Sequence, residues 1–211
     1  MKISFLPFLK KWIEDEEFWF SSKLNYSMTK EGKSPKRFHS ICDNKGKTLV
    51  LIKTTEDYIF GGFTKIGWTT NKTQWVKKKD DWGWIRDENA FIFSLRRGKN
   101  SDDSTPQRFK IQPGRENHAI CYAYFSGPSF GLSDISILAD IVYPSHFDYF
   151  CSLYGDPSTS CYEIGPDFQQ LGSFSSSVDA WDIDEIEIYF QPKANVNHFK
   201  INPMKLKSNK F

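Results

Sequence analysis

The chain has 211 residues, of which 39% are hydrophobic and 17% aromatic, and its formal net charge is +2 at pH 7. This length supplies one sizeable core and does not require two. A charge balance so close to neutral gives no electrostatic footprint for nucleic acid. No stretch approaches the roughly 18 to 20 apolar residues of a membrane-spanning helix. A nucleic-acid-binding protein and an inserted membrane protein are therefore set aside.

The segment from residue 5 to residue 20 has apolar residues at helical spacing. Leu9, Trp12 and Ile13 fall on one face, whereas lysines and acidic residues occupy the other. We therefore predict a single amphipathic helix, in an N-terminal unit of residues 1–22. Two roles are open for this helix: packing against its own domain, or docking on a partner.

The same stretch does not have the composition of a secretory signal, because Lys10 and Lys11 interrupt its apolar core. Without such a signal disulfide bonds are not expected, and the four cysteines are predicted to be free thiols. His39 and Cys42 lie one helical turn apart, but a single pair at that spacing does not make a metal site. We predict no metal and no cofactor.

A short helix begun by Ser34 and Pro35 is predicted to lead into a β-hairpin at the centre of the fold. Leu49–Ile52 and Tyr58–Phe60 are short runs rich in aliphatic and aromatic residues, which favours two paired strands. The first run contains no polar position, so both faces of its strand are expected to be covered.

Four glycines in two short stretches are predicted to be structural. Gly61 and Gly62 interrupt the second strand of the hairpin, where a bulge, a positive φ angle or the close approach of another backbone would each require glycine. Gly127 and Gly131 belong to a tight turn that also contains proline. Neither stretch has the pattern of a phosphate-binding loop.

Five further stretches are predicted to be strands: Ala90–Leu95, Phe109–Ile111, His118–Phe125, Asp134–Leu138 and Val178–Gln191. The last of these alternates apolar and acidic residues, with one slip near residues 184–186. Asp184 and Glu185 lie on its acidic face, which is interpreted either as a solvated outer surface or as a partner-binding one. Residues 192–211 form a basic tail.

Four motifs in this order resemble the TLDc domain of the oxidation-resistance proteins and their relatives. They are FHSICDNKGKTLVLIKTTEDYIFGGFTKIGW, ENAFIFSL, GPSFG followed by DISI, and DIDEIEIYF. The resemblance runs from about Ser34 to Gln191, and we assign residues 23–191 to a TLDc-like domain. It implies an α+β, mainly β fold: a two-sheet antiparallel β-sandwich flanked by short helices.

The resemblance also implies a function. Family members are linked to protection against oxidative stress and to binding the catalytic sector of the vacuolar proton ATPase, and no established catalytic residues come with the family. We therefore expect a non-enzymatic, cytoplasmic binding module that reaches vacuolar or endosomal membranes through its partner. Trp12, Phe18 and Trp19 are the expected aromatic anchors, and Asp184 and Glu185 are further candidate contacts.

An alternative from a different class is a redox protein whose Cys42 thiol reacts with peroxide. Four basic residues, Lys36, Arg37, Lys45 and Lys47, are close to Cys42 in the sequence and would stabilise a thiolate. However, no second cysteine at CxxC spacing accompanies Cys42. Its place on a helix beside apolar residues equally favours a buried, inert thiol.

Overall fold

The computed structural model describes most of the chain between residues 5 and 191. The described ranges are 5–70, 83–98, 105–124, 126–132, 134–139, 149–152, 160–163 and 181–191. The basic tail predicted for residues 192–211 lies outside these ranges.

The described residues form four α-helices, one 3-10 helix and eleven β-strands. The helices are α1 (Leu6–Trp12), α2 (Glu16–Ser21), α3 (Met28–Glu31) and α4 (Pro35–Cys42), with the 3-10 helix at Glu116–His118. The strands are β1 (Lys23–Ser27), β2 (Thr48–Thr54), β3 (Tyr58–Thr64), β4 (Gly83–Ile85), β5 (Phe91–Arg97), β6 (Gln107–Lys110), β7 (Ile120–Tyr122), β8 (Ser129–Phe130), β9 (Ser136–Ala139), β10 (Tyr149–Ser152) and β11 (Trp181–Phe190).

These strands make two sheets in which neighbouring strands are antiparallel. The larger sheet has eight strands, in the order β6-β5-β3-β2-β11-β10-β9 with β1 also paired to β11, and the smaller sheet has the order β4-β7-β8. The two sheets share one hydrophobic core, to which α4 also contributes. The predicted mainly β, two-sheet fold with short flanking helices is therefore confirmed.

Strand β11 confirms the terminal strand and the slip predicted within it. It pairs with β2 along one edge and with β1 and β10 along the other. The pairing with β2 shifts register between Ile183 and Glu185, where the alternation in the sequence slips. A bulge of this kind lets Ile183 and Ile186 both point into the core although two acidic residues separate them.

Strand β2 is covered on both faces, as its uninterrupted apolar run predicted. Val50 and Ile52 lie in the core between the two sheets. Leu49 and Leu51 point the opposite way and pack in a second core with residues of α1 and α2. Side chains alternate along a strand, so a strand buried on both sides needs apolar residues at consecutive positions.

The prediction of a single N-terminal helix from residue 5 to residue 20 is wrong, because the chain forms two short helices there. The break falls at residues 13–15, where the Asp15 carboxylate accepts a hydrogen bond from the Phe18 backbone N–H at 2.9 Å and caps α2. A second contact holds the break in place, since Lys47 Nζ lies 2.7 Å from Asp15 Oδ2. An aspartate whose side chain accepts a hydrogen bond from a backbone N–H a few residues later favours the start of a helix over its interior.

The strand predicted over His118–Phe125 is much shorter in the structure. A 3-10 turn occupies its start, with the His118 N–H donating to the Arg115 carbonyl oxygen at 2.9 Å. A second turn ends it, because the Ser126 N–H donates to the Ala123 carbonyl oxygen at 3.0 Å. Only β7 remains between them as a strand.

Of the three uses considered for Gly61 and Gly62, close approach is the one that the structure supports. Neither glycine has a positive φ angle, and the shift in pairing between β3 and β5 lies one residue earlier, between Ile59 and Phe60. A Cβ atom on Gly61 would lie 1.9 Å from the Val50 carbonyl oxygen. Both glycines therefore leave room for neighbouring groups.

Candidate functional site

The helices α1 and α2 form a layer on the outer face of the larger sheet. Leu9 and Phe18 have no exposed surface, and Ile13 in the break between the helices is 2% exposed. The Phe18 ring meets that of Phe63 edge to face, with centroids 5.4 Å apart. Phe18 was expected to anchor a partner, but it fills the protein's own core and offers no surface for one.

The two tryptophans of this layer are half-buried. Trp12 lies between Phe8 and Phe93, with ring centroids 6.1 and 6.0 Å away. Trp19 donates its indole N–H to the Ile13 carbonyl oxygen at 2.9 Å and so ties α2 to the end of α1. Both rings therefore pack partly against the core and remain partly exposed, as amphipathic aromatic residues at an interface do.

The most exposed aromatic residue of the layer is Phe20, which the sequence analysis did not single out. Its side chain is 95% exposed, and that of Phe8 is 37% exposed. We call Phe8, Trp12, Trp19 and Phe20 the aromatic surface. In a continuous helix Phe20 would follow Ile13 by seven residues and would share its buried face. The break at Asp15 resets the helical phase, and Phe20 is exposed. Exposed apolar residues in one layer of a protein are candidates for an interaction site.

The predicted acidic contact residues of β11 interact with other side chains and with the backbone of the protein itself, and are not simply solvated. Asp184 forms an ion pair with Lys53 on the neighbouring strand. Glu185 accepts hydrogen bonds from the Thr29 N–H at 3.2 Å, the Ser27 hydroxyl at 3.1 Å and the Thr29 hydroxyl. Glu185 therefore fastens the start of α3 to the sheet, and Asp184 is the more exposed of the two predicted contact residues.

The three cysteines whose side chains are described are free thiols, and all three are buried. Burial raises the pKa of Cys42 far above its ordinary value; Asp43 raises it further, and Lys45 opposes this only in part. Burial likewise raises the pKa of Cys121 to about 12, and it raises that of Cys161. Because the thiolate is the nucleophile, this environment is the opposite of the one that a reactive cysteine needs.

Both ring nitrogens of His39 have hydrogen-bond partners other than Cys42. Its Nδ1 atom lies 2.8 Å from Asp43 Oδ1, and its Nε2 atom lies 3.0 Å from the carbonyl oxygens of both Ala123 and Ser126. The ring thus joins α4 to the loop after β7. No group of three metal-ligating side chains occurs within the described ranges.

A buried carboxylate that the sequence analysis missed organises the loop after β8. Asp134 is 1% exposed and accepts hydrogen bonds from the Ser160 hydroxyl and, at 3.0 Å, from the Cys161 N–H. Burial raises its pKa to about 6, although these hydrogen bonds act in the other direction. Gly131, with φ of +68°, passes so close to this carboxylate that no side chain would fit there.

Two clefts adjoin the helical layer. The larger, about 490 Å³, lies between the break at residues 13–15 and the ends of β3, β5 and β6. The smaller, about 180 Å³, is mainly apolar and lies on the outer face of the sheet between Phe5 and Leu95, with Glu185 and Glu187 at its margin. The first is large enough for a ligand or a partner segment, whereas the second holds about one side chain.

A family model described as TLDc domain matches residues 4–190, which is most of the chain and includes both helices of the N-terminal layer. A comparison with curated proteins found no match. No helix in the part of the chain that the structure describes has the length and apolar character needed to cross a membrane.

Proposed function

Since the chain belongs to the TLDc domain family, we propose that it is a non-enzymatic binding module that docks on the catalytic sector of the vacuolar proton ATPase. Through this partner it modulates the assembly or activity of the pump and contributes to resistance against oxidative stress. It acts in the cytoplasm, at the surface of vacuolar or endosomal membranes, without entering them.

The observation that carries the binding role is the 95% exposure of Phe20, in the same helical layer as the half-buried Trp12 and Trp19. Leaving a phenylalanine side chain in water forgoes about 1.5–3 kcal/mol of burial free energy. Aromatic anchors next to a rigid layer are the residues that dominate the energetics of protein interfaces. A stable docked complex would bury at least about 1,000 Å² in total.

The test uses purified catalytic-sector subunits of the ATPase and the full chain. Removing residues 1–22 is unsuitable, because Leu9, Ile13 and Phe18 fill the core and their loss would unfold the protein. Phe20→Ser removes the exposed anchor and leaves the core intact. The matched control is Trp84→Ser, which changes an aromatic residue that is 39% exposed on the smaller sheet.

Full-length protein should retain the subunits in a pull-down, Phe20→Ser should retain at least about tenfold less, and Trp84→Ser should match the parent. Equal retention by both variants would remove the aromatic surface from the proposal. Failure of the unaltered protein to retain any subunit would remove the ATPase as the partner.

A further inference from the structure

The larger cleft, of about 490 Å³, has an uneven distribution of charge. Lys65 follows β3, and Arg108 and Lys110 belong to β6; all three line the cleft. Arg108 and Lys110 are two residues apart on one strand and therefore lie on the same face of the sheet. This is the face that α1 and α2 cover, since Arg108 pairs with Phe93 of the second core.

Arg108 is held in a fixed position at the wall of the cleft. Its Nη1 atom donates to the Trp12 carbonyl oxygen at 3.1 Å, and its guanidinium carbon lies 5.5 Å from the centroid of the Phe91 ring. These contacts use one of its N–H groups and one of its faces, and its other donors have no hydrogen-bond partner among the residues that the structure describes. A cation already immobilised in this way loses little freedom when it binds an anion.

Two of the three acidic residues that line the cleft have a basic partner outside the lining. Asp15 is paired with Lys47 at 2.7 Å, and Glu88 lies 3.6 Å from Arg86. Glu14 is the further carboxylate in the lining.

By contrast, none of the three cationic side chains lies within ion-pair distance of a carboxylate in the part of the chain that the structure describes. The Lys65 ammonium group donates to the Asn89 side-chain oxygen at 3.2 Å, and the Lys65 backbone N–H donates to Asp87 Oδ2 at 2.7 Å. Besides the hydrogen bond from Lys47, the charge of Lys65 also contributes to the lowered pKa of Asp15.

The lining itself carries three cations and three carboxylates. The positive charge of the cleft exceeds the negative only because Lys47 and Arg86, outside the lining, pair with two of those carboxylates.

We propose that this cleft binds an extended acidic segment of a partner protein, with carboxylates at alternate residues. Successive residues of an extended chain are about 3.3–3.4 Å apart, so side chains two positions apart repeat every ~6.7 Å. Arg108 and Lys110 have this same repeat on β6. A small anion would instead need donors that converge on one point. The proposal goes beyond the docking function above, because it holds for any partner that carries such a segment.

The experiment measures binding of fluorescein-labelled peptides to the full chain by fluorescence anisotropy. One probe is a seven-residue peptide in which glutamate and serine alternate. A second peptide has the same composition with its glutamates adjacent, and a third has lysine in place of every glutamate. The alternating glutamate peptide should bind at least about fivefold more tightly than either of the others.

Lys110→Glu reverses an exposed charge in the cleft, and Lys33→Glu reverses an exposed charge outside it. Lys110→Glu should weaken binding of the alternating glutamate peptide at least about fivefold and should strengthen binding of the lysine peptide. Lys33→Glu should leave both affinities within about twofold of the parent.

Four results would overturn the proposal. They are equal affinity for the alternating and adjacent glutamate peptides, equal loss in the two variants, full displacement of the probe by citrate at the peptide's own concentration, and tighter binding of single-stranded oligothymidylate than of the peptide. The first two would indicate general surface charge, the third a small-anion site, and the fourth a nucleic-acid site.

Discussion

Gly62 lies directly against the ring of Phe130: a Cβ atom on this glycine would be 2.5 Å from the ring atom Cζ. Gly62 belongs to β3 of the larger sheet and Phe130 to β8 of the smaller one. The Phe130 ring is fully buried and meets the ring of Trp68 edge to face, with centroids 5.5 Å apart. The absence of a side chain at position 62 therefore sets how closely the two sheets approach.

Gly62→Ala should lower the free energy of unfolding by about 1–3 kcal/mol, because a methyl group has to displace the Phe130 ring. Chemical denaturation of the parent and the variant measures the difference. Phe130→Leu shortens the opposing side chain, so the double variant should be more stable than the sum of the two single changes predicts. An alanine variant as stable as the parent would show that the two sheets are not in contact here.

The sequence predicted that Gly61 and Gly62 are structural but left three uses open, because the choice depends on tertiary contacts. These are the Val50 carbonyl oxygen for Gly61 and the Phe130 ring, almost 70 positions away, for Gly62.

The same limit applies to the N-terminal layer. Apolar spacing predicted a helical segment and left open whether it packs on its own domain or docks on a partner. It did not reveal that Asp15 would cap a second helix and that Phe20 would be exposed. Local patterns predict an element and its buried face, whereas its interruptions are set by capping and tertiary contacts.

The Asp15 carboxylate should stabilise the fold through the cap of α2 and the contact with Lys47. Asp15→Ala should lower the free energy of unfolding by about 0.5–2 kcal/mol, the usual range for the loss of a cap. Thermal or chemical denaturation at pH 7 tests this. Asp15→Asn keeps an oxygen that accepts from the Phe18 N–H and should recover most of the loss.

The same residue has a defined pH dependence. The hydrogen bond from Lys47, followed by that from Phe18, lowers the pKa of Asp15 below its ordinary value of 3.8. A lowered pKa in the folded state means that the stabilisation is present above about pH 4 and is lost as the pH falls through the folded-state pKa. The stability difference between parent and Asp15→Ala should therefore shrink below pH 4. A constant difference down to pH 2 would contradict the ion pair.

Asp134 should have the opposite pH dependence. Its pKa is raised from 3.8 to about 6 by burial, so the folded state binds the proton more tightly than the unfolded state. This contribution to stability is fully present below about pH 4 and is lost as the pH rises through about 6. A difference of roughly 2 pKa units corresponds to on the order of 2–3 kcal/mol. The free energy of unfolding should fall by most of this amount between pH 4.5 and pH 7.5.

Asp134→Asn removes the titrating group, and the difference in stability between those two pH values should change by the same amount. This pH-dependent difference can be compared between parent and variant even if the variant is less stable than the parent at both pH values. Asparagine offers a donor where the Cys161 N–H also donates, so some loss at every pH is expected. An unchanged pH profile in the variant would show that Asp134 titrates as it does in water.

The buried thiols should not react with peroxide or with thiol reagents while the protein is folded. Cys42, Cys121 and Cys161 are all buried, and burial raises the pKa of each of them. Labelling with a maleimide at pH 7.5, followed by peptide mass analysis, should find these three positions unmodified in native protein and modified after denaturation. Peroxide consumption should be the same for the parent and for Cys42→Ser. Rapid native labelling of Cys42 would restore the thiol hypothesis.

Phe18 and Phe20 provide a matched pair, since the same side chain occurs two residues apart on α2 in opposite environments. Phe18 has no exposed surface and packs against Phe63, whereas Phe20 is 95% exposed. Phe18→Ala should lower the free energy of unfolding by about 3–5 kcal/mol, because it leaves a cavity between the helix and the sheet. Phe20→Ala should change it by no more than about 0.5 kcal/mol.

Chemical denaturation of the two alanine variants measures both values under one set of conditions. The opposite order, with Phe20→Ala the more damaging change, would mean that α2 is rotated and that a different face of the helix meets the sheet. The expected order has a consequence for binding, since a surface phenylalanine that does not stabilise the fold can be changed without unfolding the protein. Loss of a partner by a Phe20 variant would then report on the interface alone.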